Sequence, residues 1–169
     1  MKPKFQLKSV PILIAIIMAL LSSELFAQEK IDYTQLRGKE WVMELPDELK
    51  VFMSYSYTVD TCIIVAKHLK ERVEVKNVYY LSDDWNGTFE DTKVGVWGAG
   101  KYLITKIGNK EKIEKKVRKV ILINVYEILK LTETELEWRS VEHIRLTEGG
   151  EESRRQGNNT IVKFRSKEE

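Results

Sequence analysis

Val51-Phe52-Met53-Ser54-Tyr55-Ser56-Tyr57-Thr58 is the stretch on which the fold class turns. Val51, Met53, Tyr55 and Tyr57 share one parity, and Phe52, Ser54, Ser56 and Thr58 share the other. Successive side chains of a strand point to opposite faces, so this period of two predicts a half-buried β-strand. Downstream, Thr61 to Leu69 is apolar on both faces and Arg72 to Leu81 is rich in Val and Tyr. The two runs predict a hairpin across Lys70-Glu71, although that dipeptide lacks the Gly or Asn favoured in tight turns. Asn86-Gly87 marks a turn, Lys93 to Trp97 reads as a further strand, and Gly98-Ala99-Gly100 bends or bulges the sheet before a strand over Tyr102 to Ile107.

Lys110 to Lys119 carries six basic and two acidic residues and reads either as a charged turn or as a charged helix. The run Val120-Ile121-Leu122-Ile123-Asn124-Val125 favours the turn. Branched side chains lose rotamer freedom in a helix and sit well on a pleated surface, so Lys116 to Leu129 is predicted as one long strand. After a turn at Leu131-Thr132-Glu133-Thr134, Glu135 to Ser140 alternates cleanly, and Val141 to Leu146 continues it past a bend. Thr147 to Asn159 reads as a polar loop and Thr160 to Ser166 as the closing strand. About eight strands with short connections predict an all-β protein. An antiparallel up-and-down barrel is favoured over a sandwich, because closure removes the exposed edges that invite aggregation.

Upstream of this body, Lys2, Lys4 and Lys8 precede the apolar run Val10 to Leu21, and Leu25-Phe26-Ala27 follows. That order of basic, apolar and small residues is a secretory signal peptide cleaved before Gln28. An uncleaved anchor is the alternative, but the apolar run contains Pro11 and falls short of the ~20 residues that span a bilayer. The expected organisation is a signal peptide over residues 1–27 and one barrel domain over residues 28–169, soluble in the periplasm or outside the cell, with no membrane anchor after cleavage.

Cleavage lowers Lys+Arg from 28 to 25 and Asp+Glu from 26 to 25, leaving a mature net charge near zero. The basicity of the 169-residue chain thus belongs to its export segment, and the electrostatic argument for nucleic acid disappears. Cys62 is the single cysteine, so no internal disulfide forms. Its neighbours Ile63, Ile64 and Val65 mark it as a buried small hydrophobe. No cysteine follows the cleavage site to carry a lipid.

Leu36-Arg37-Gly38-Lys39-Glu40-Trp41, followed by Val42-Met43-Glu44-Leu45, resembles the opening of lipocalin-like proteins, with two residues between Gly38 and Trp41 where the lipocalin signature has one. Tyr126 to Leu136 is similar to the late hairpin of small secreted lipocalin-like domains of Gram-negative bacteria. The resemblance implies a calycin-type barrel whose tryptophan plugs the closed end against a late arginine, roles that fall to Trp41 and Arg165. Read without it, Trp41 is a core aromatic and Arg165 a surface charge. The resemblance further implies a cup for a small apolar molecule. Met53, Tyr55, Tyr57, Tyr79, Trp97 and Trp138 either line that cup or fill it, since alternation does not separate the two.

No cluster announces a reaction, and the chain reads as non-enzymatic. His68 and His143 lie at no metal-ligand spacing, so no metal or other cofactor is expected. Asp83, Asp84, Glu90 and Asp91 are turn carboxylates without the pattern of a calcium loop. The expected partner is a small hydrophobic ligand; the alternative is a protein partner, with the barrel packed solid as an inhibitor, immunity or envelope accessory factor.

Overall fold

The computed structural model describes residues 33–96, 98–113, 116–150 and 152–167. The signal segment and Trp97 lie outside the described residues. A short helix, α1 (Tyr33–Leu36), leads into nine strands: β1 (Glu40–Met43), β2 (Val51–Tyr57), β3 (Thr61–His68), β4 (Glu71–Ser82), β5 (Tyr102–Ile113), β6 (Lys116–Leu131), β7 (Glu135–Thr147), β8 (Glu152–Gln156) and β9 (Ile161–Ser166). Neighbours from β1 to β7 pair in sequence order, β7 pairs with β9, and β9 returns to β1; every ladder is antiparallel. Eight strands therefore close a barrel. The ninth, β8, lies along the upper half of β7, above β9 on the same edge.

Paired residues on adjacent strands share a face, which fixes the inside of the wall. Trp41 is opposite Tyr55, Tyr57 opposite Cys62, Cys62 opposite Asn77, Leu81 opposite Leu103, and Leu136 opposite Phe164. Apart from Asn77, a buried polar residue, these are members of an inner core with Leu36, Tyr79, Ile128 and Trp138. The other parity builds a second core outside the barrel. There Tyr80, Ile104, Ile123, Val125 and Ile144 are covered by Trp85, Phe89 and Val94 from the β4–β5 connection. β5 around Leu103 and Ile104, and β6 from Val120 to Ile128, thus carry buried residues of both parities, which is why Val120 to Val125 reads as an almost unbroken apolar run rather than an alternation.

The connection is strapped down by polar contacts as well. Trp85 Nε1 donates to Glu142 at 2.6 Å, the Glu90 amide donates to the Tyr80 hydroxyl at 3.2 Å, and Arg154 donates to the Gly87 carbonyl at 2.9 Å. At its end a Cβ on Gly100 would overlap the Ser82 backbone, so only glycine lets the chain pass there.

Among its described residues, the strand predicted over Lys93 to Trp97 is not formed. Asp91–Lys93 is a turn of 3-10 helix, and Gly95 has φ +75°, a left-handed conformation that breaks an extended path. The polar loop predicted over Thr147 to Asn159 contains β8, whose five residues are all exposed. Strand formation there comes from pairing with β7 and leaves no apolar alternation to read. The charged segment around Lys110 to Lys119 belongs to the β5–β6 hairpin, with Ile113 opposite Lys116, and not to a helix.

Candidate functional site

The inner core fills one end of the barrel. Tyr55 packs edge-on against Trp138 and Phe164, with centroids 5.4 and 5.2 Å away; Trp138 and Phe164 are 4.3 Å apart, and Tyr57 meets Tyr79 at 5.1 Å. Trp41 is fully buried and donates its indole N–H to the Leu36 carbonyl at 2.9 Å, tying α1 across this end. Of the residues read as lining a cup, Tyr55, Tyr57, Tyr79 and Trp138 face inward but are buried among one another, whereas Met53 stays half-buried higher up. The four aromatics fill the closed end. Alternation reports which face a side chain takes and says nothing of its height along the barrel.

Arg165 does not join Trp41. Its register places it opposite Val42 and Glu135 on the outer wall, where it pairs with Glu44. Lys39 instead stands over the Trp41 ring, 5.6 Å from its centroid.

Above the aromatic floor, the inward parity carries Met53, Ile64, Ala66, Val75, Ile107 and Leu122, all half-buried. At the boundary, Tyr57, Cys62 and Asn77 lie side by side across β2, β3 and β4. The Tyr57 hydroxyl, beside the Cys62 thiol, and Asn77 Oδ1 are buried without a hydrogen-bond partner among the described residues. Such orphans cost free energy unless something else meets them. Burial pushes the Cys62 thiol up to about 12 and the Tyr126 hydroxyl up to about 12, so both stay neutral.

On the opposite wall, Val141 is an extra residue in β7: Tyr126 is opposite Ser140, whereas Val125 is opposite Glu142. This bulge turns Ser140 and His143 to the same, inner face, although they are three positions apart. Ser140 Oγ is 2.7 Å from His143 Nε2, and His143 Nδ1 is 2.7 Å from Asn124 Oδ1 on β6. Burial, then the nearby Arg155 cation, lowers the pKa of His143 from its ordinary value. The imidazole is therefore neutral at pH 7, donating from Nδ1 to Asn124 and accepting from Ser140 at Nε2.

Leu122, Asn124, His143, Arg145, Ser153 and Arg155 line a recess of ≈ 270 Å³ beside this relay. The registers Leu122–Arg145–Ser153 and Asn124–His143–Arg155 make it two rows deep across β6, β7 and β8. Reading the sequence missed these residues. Asn124 sat in a strand chosen for its branched neighbours, the bulge that brings Ser140 to His143 has no local signature, and Arg155 fell in an expected loop.

Among the described residues no group of three His, Cys, Asp or Glu side chains is close enough to hold a metal ion, and no helix is long and apolar enough to cross a membrane. A closed eight-stranded antiparallel barrel with one floored end is the class of protein that this fold and site define. No protein-family model, curated protein or solved structure matches the chain.

Proposed function

We propose that this chain is an exported, lipocalin-like binding protein that holds a small apolar molecule in the upper half of its barrel. The observation that carries this reading is the change in lining with height: a packed aromatic floor gives way to inward aliphatic side chains that remain half-buried. Concave apolar surface with a few placed polar groups is the usual form of a small-molecule site. The unpartnered Tyr57 hydroxyl and Asn77 Oδ1 add two groups that a ligand or water can satisfy. The tripartite sequence at residues 2–27 supports export to the periplasm or the medium.

Met53→Glu is the direct test, because it places a charge among the lining aliphatics without cutting into the floor. An environment-sensitive fatty-acyl probe is expected to bind the parent saturably, to be displaced by unlabelled alkane-chain compounds, and to bind this variant at least tenfold more weakly. Saturable binding that the variant leaves intact would remove the lumen reading.

A second reading has its own support. Leu49, Leu69 and Val73 are 52, 76 and 56% exposed near the β1–β2 and β3–β4 ends of the barrel, and exposed apolar residues there suit contact with a protein partner. Native mass spectrometry of the protein from its own host separates the two: a retained small mass supports the carrier, and a co-purified chain supports the interaction module.

A further inference from the structure

We infer that the Asn124–His143–Ser140 relay is an acyl-transfer centre that hydrolyses small carboxylic esters, with Ser140 as the nucleophile. This activity goes beyond the binding reading above and does not depend on a ligand in the upper lumen. A serine hydroxyl is a weak nucleophile until a base takes its proton, and the base works best when a third group fixes its tautomer. All three positions are filled here. Ser140 Oγ lies 2.7 Å from His143 Nε2, and His143 Nδ1 lies 2.7 Å from Asn124 Oδ1, both within the reach that proton transfer needs. Because Asn124 Oδ1 accepts from Nδ1–H, the basic lone pair of the imidazole is left on Nε2, facing the hydroxyl. No local stretch of sequence carries these groups together; β6–β7 register and the bulge at Val141 do.

The surroundings supply what else the reaction needs. Ser140, His143 and Asn124 are half-buried rather than sealed in the core. The recess of ≈ 270 Å³ reaches His143 and Asn124, and Leu122 gives it an apolar wall for an acyl or alcohol chain. Arg155 lines the same recess from β8, opposite His143 in register, so an oxyanion developing there meets a positive charge. Ser140 Oγ attacks the ester carbonyl carbon as its proton passes to Nε2, and the carbonyl π pair moves onto the oxygen. Collapse of the tetrahedral species breaks the bond to the alkoxy oxygen, which leaves with the proton from Nε2. Water then attacks the acyl-Ser140 ester by the same transfer, releasing the carboxylic acid and restoring the hydroxyl.

Labelling of the full-length mature protein with a fluorophosphonate tests this, because an activated serine displaces fluoride from phosphorus and keeps the phosphonyl group. A single adduct, mapped by peptide mass spectrometry to Ser140, is expected, together with turnover of p-nitrophenyl butyrate. Ser140→Ala should abolish both, and His143→Gln should slow both at least about a hundredfold. Asn124 acts through His143 and is a positioning residue. Asn124→Ala should lower kcat about tenfold or more with KM little changed, and Asn124→Asp, which only accepts from Nδ1–H, should recover most of that loss. Circular dichroism checks the fold of each variant; where His143→Gln fails to fold, the adduct site in the parent and its loss in Ser140→Ala decide. No adduct on Ser140, an adduct formed equally fast in a folded His143→Gln variant, or Asn124→Asp as slow as Asn124→Ala would overturn the inference. None of these outcomes alters binding of the fatty-acyl probe, so the carrier reading stands or falls separately.

Discussion

Both ring nitrogens of His143 are engaged by neutral partners, Asn124 and Ser140, and the nearest named charge acting on it is the cation of Arg155. Protonation would face Nε2–H toward the Ser140 hydroxyl and place a second positive charge beside Arg155. Because the folded value lies below the ordinary 6.5, the folded state binds fewer protons than the unfolded chain once pH drops under that value. The contribution is therefore complete above about pH 6.5 and is lost as pH falls through the folded value. Denaturant unfolding at stepped pH is expected to show stability declining below pH 6.5, and His143→Gln should flatten that decline. Glu40 and Glu135, held below the usual carboxylate value of 4.5 chiefly by hydrogen bonds from Ser54 and Lys130, act only in a more acidic window. Cys62 gives a second test at this scale. At 1% exposure, with burial pushing its thiol up to about 12, it should resist alkylation at pH 8 and react only at the rate at which the protein unfolds.

The element that most affects the site is the bulged β7. The β8–β9 corner crosses it so closely that a Cβ on Gly157 would overlap the Ser140 carbonyl, and the Gly157 amide donates to the Val141 carbonyl at 2.8 Å. Neither backbone can yield without opening the bulge. Gly157→Ala is expected to cost about 2 to 3 kcal/mol in denaturant unfolding and to shift the His143 ring resonances, because the relay depends on the bulge. Gly108 is the control, since a Cβ there meets nothing within 4 Å. Among the strands, β8 has one neighbour, whereas β6 is paired along both edges and is buried on both faces around Ile123 to Ile128. Amide exchange should therefore be fastest over Glu152–Gln156 and slowest at Ile123, Val125 and Ile144.

At the scale of the whole molecule, the barrel divides into a solid floor and a lined upper half, and the two respond differently to truncation. Trp138 is 2% exposed and touches Tyr55, Tyr126 and Phe164, so Trp138→Ala leaves a void that rigid neighbours do not refill. Its expected cost is ~3 to 5 kcal/mol, read as a fall in the denaturant midpoint. Met53→Ala, at a half-buried site in the upper half, should cost clearly less. If Trp138→Ala were nearly neutral, the floor would be an open cavity and the division drawn here would fail.

What the sequence determined by itself is the face that each side chain takes. Tyr55 and Trp138 alternate with polar residues because strand geometry repeats every two residues, and closure follows from eight such strands needing partners at both edges. Strand bounds at β2, β3, β6 and β9 were legible within two residues for the same reason. Tertiary structure decided the rest. Height along the barrel, which makes Tyr57 part of the floor and Met53 part of the lining, depends on the stagger between strands and leaves no mark on any one of them. The polar strand β8 exists because β7 offers it an edge, and the outer core exists because the β4–β5 connection folds back over Tyr80 and Ile104. The Asn124–His143–Ser140 relay depends on pairing across a hairpin and on one extra residue at Val141. Local periodicity carries short-range geometry; a site assembled from three strands is set by long-range register, which no single stretch encodes.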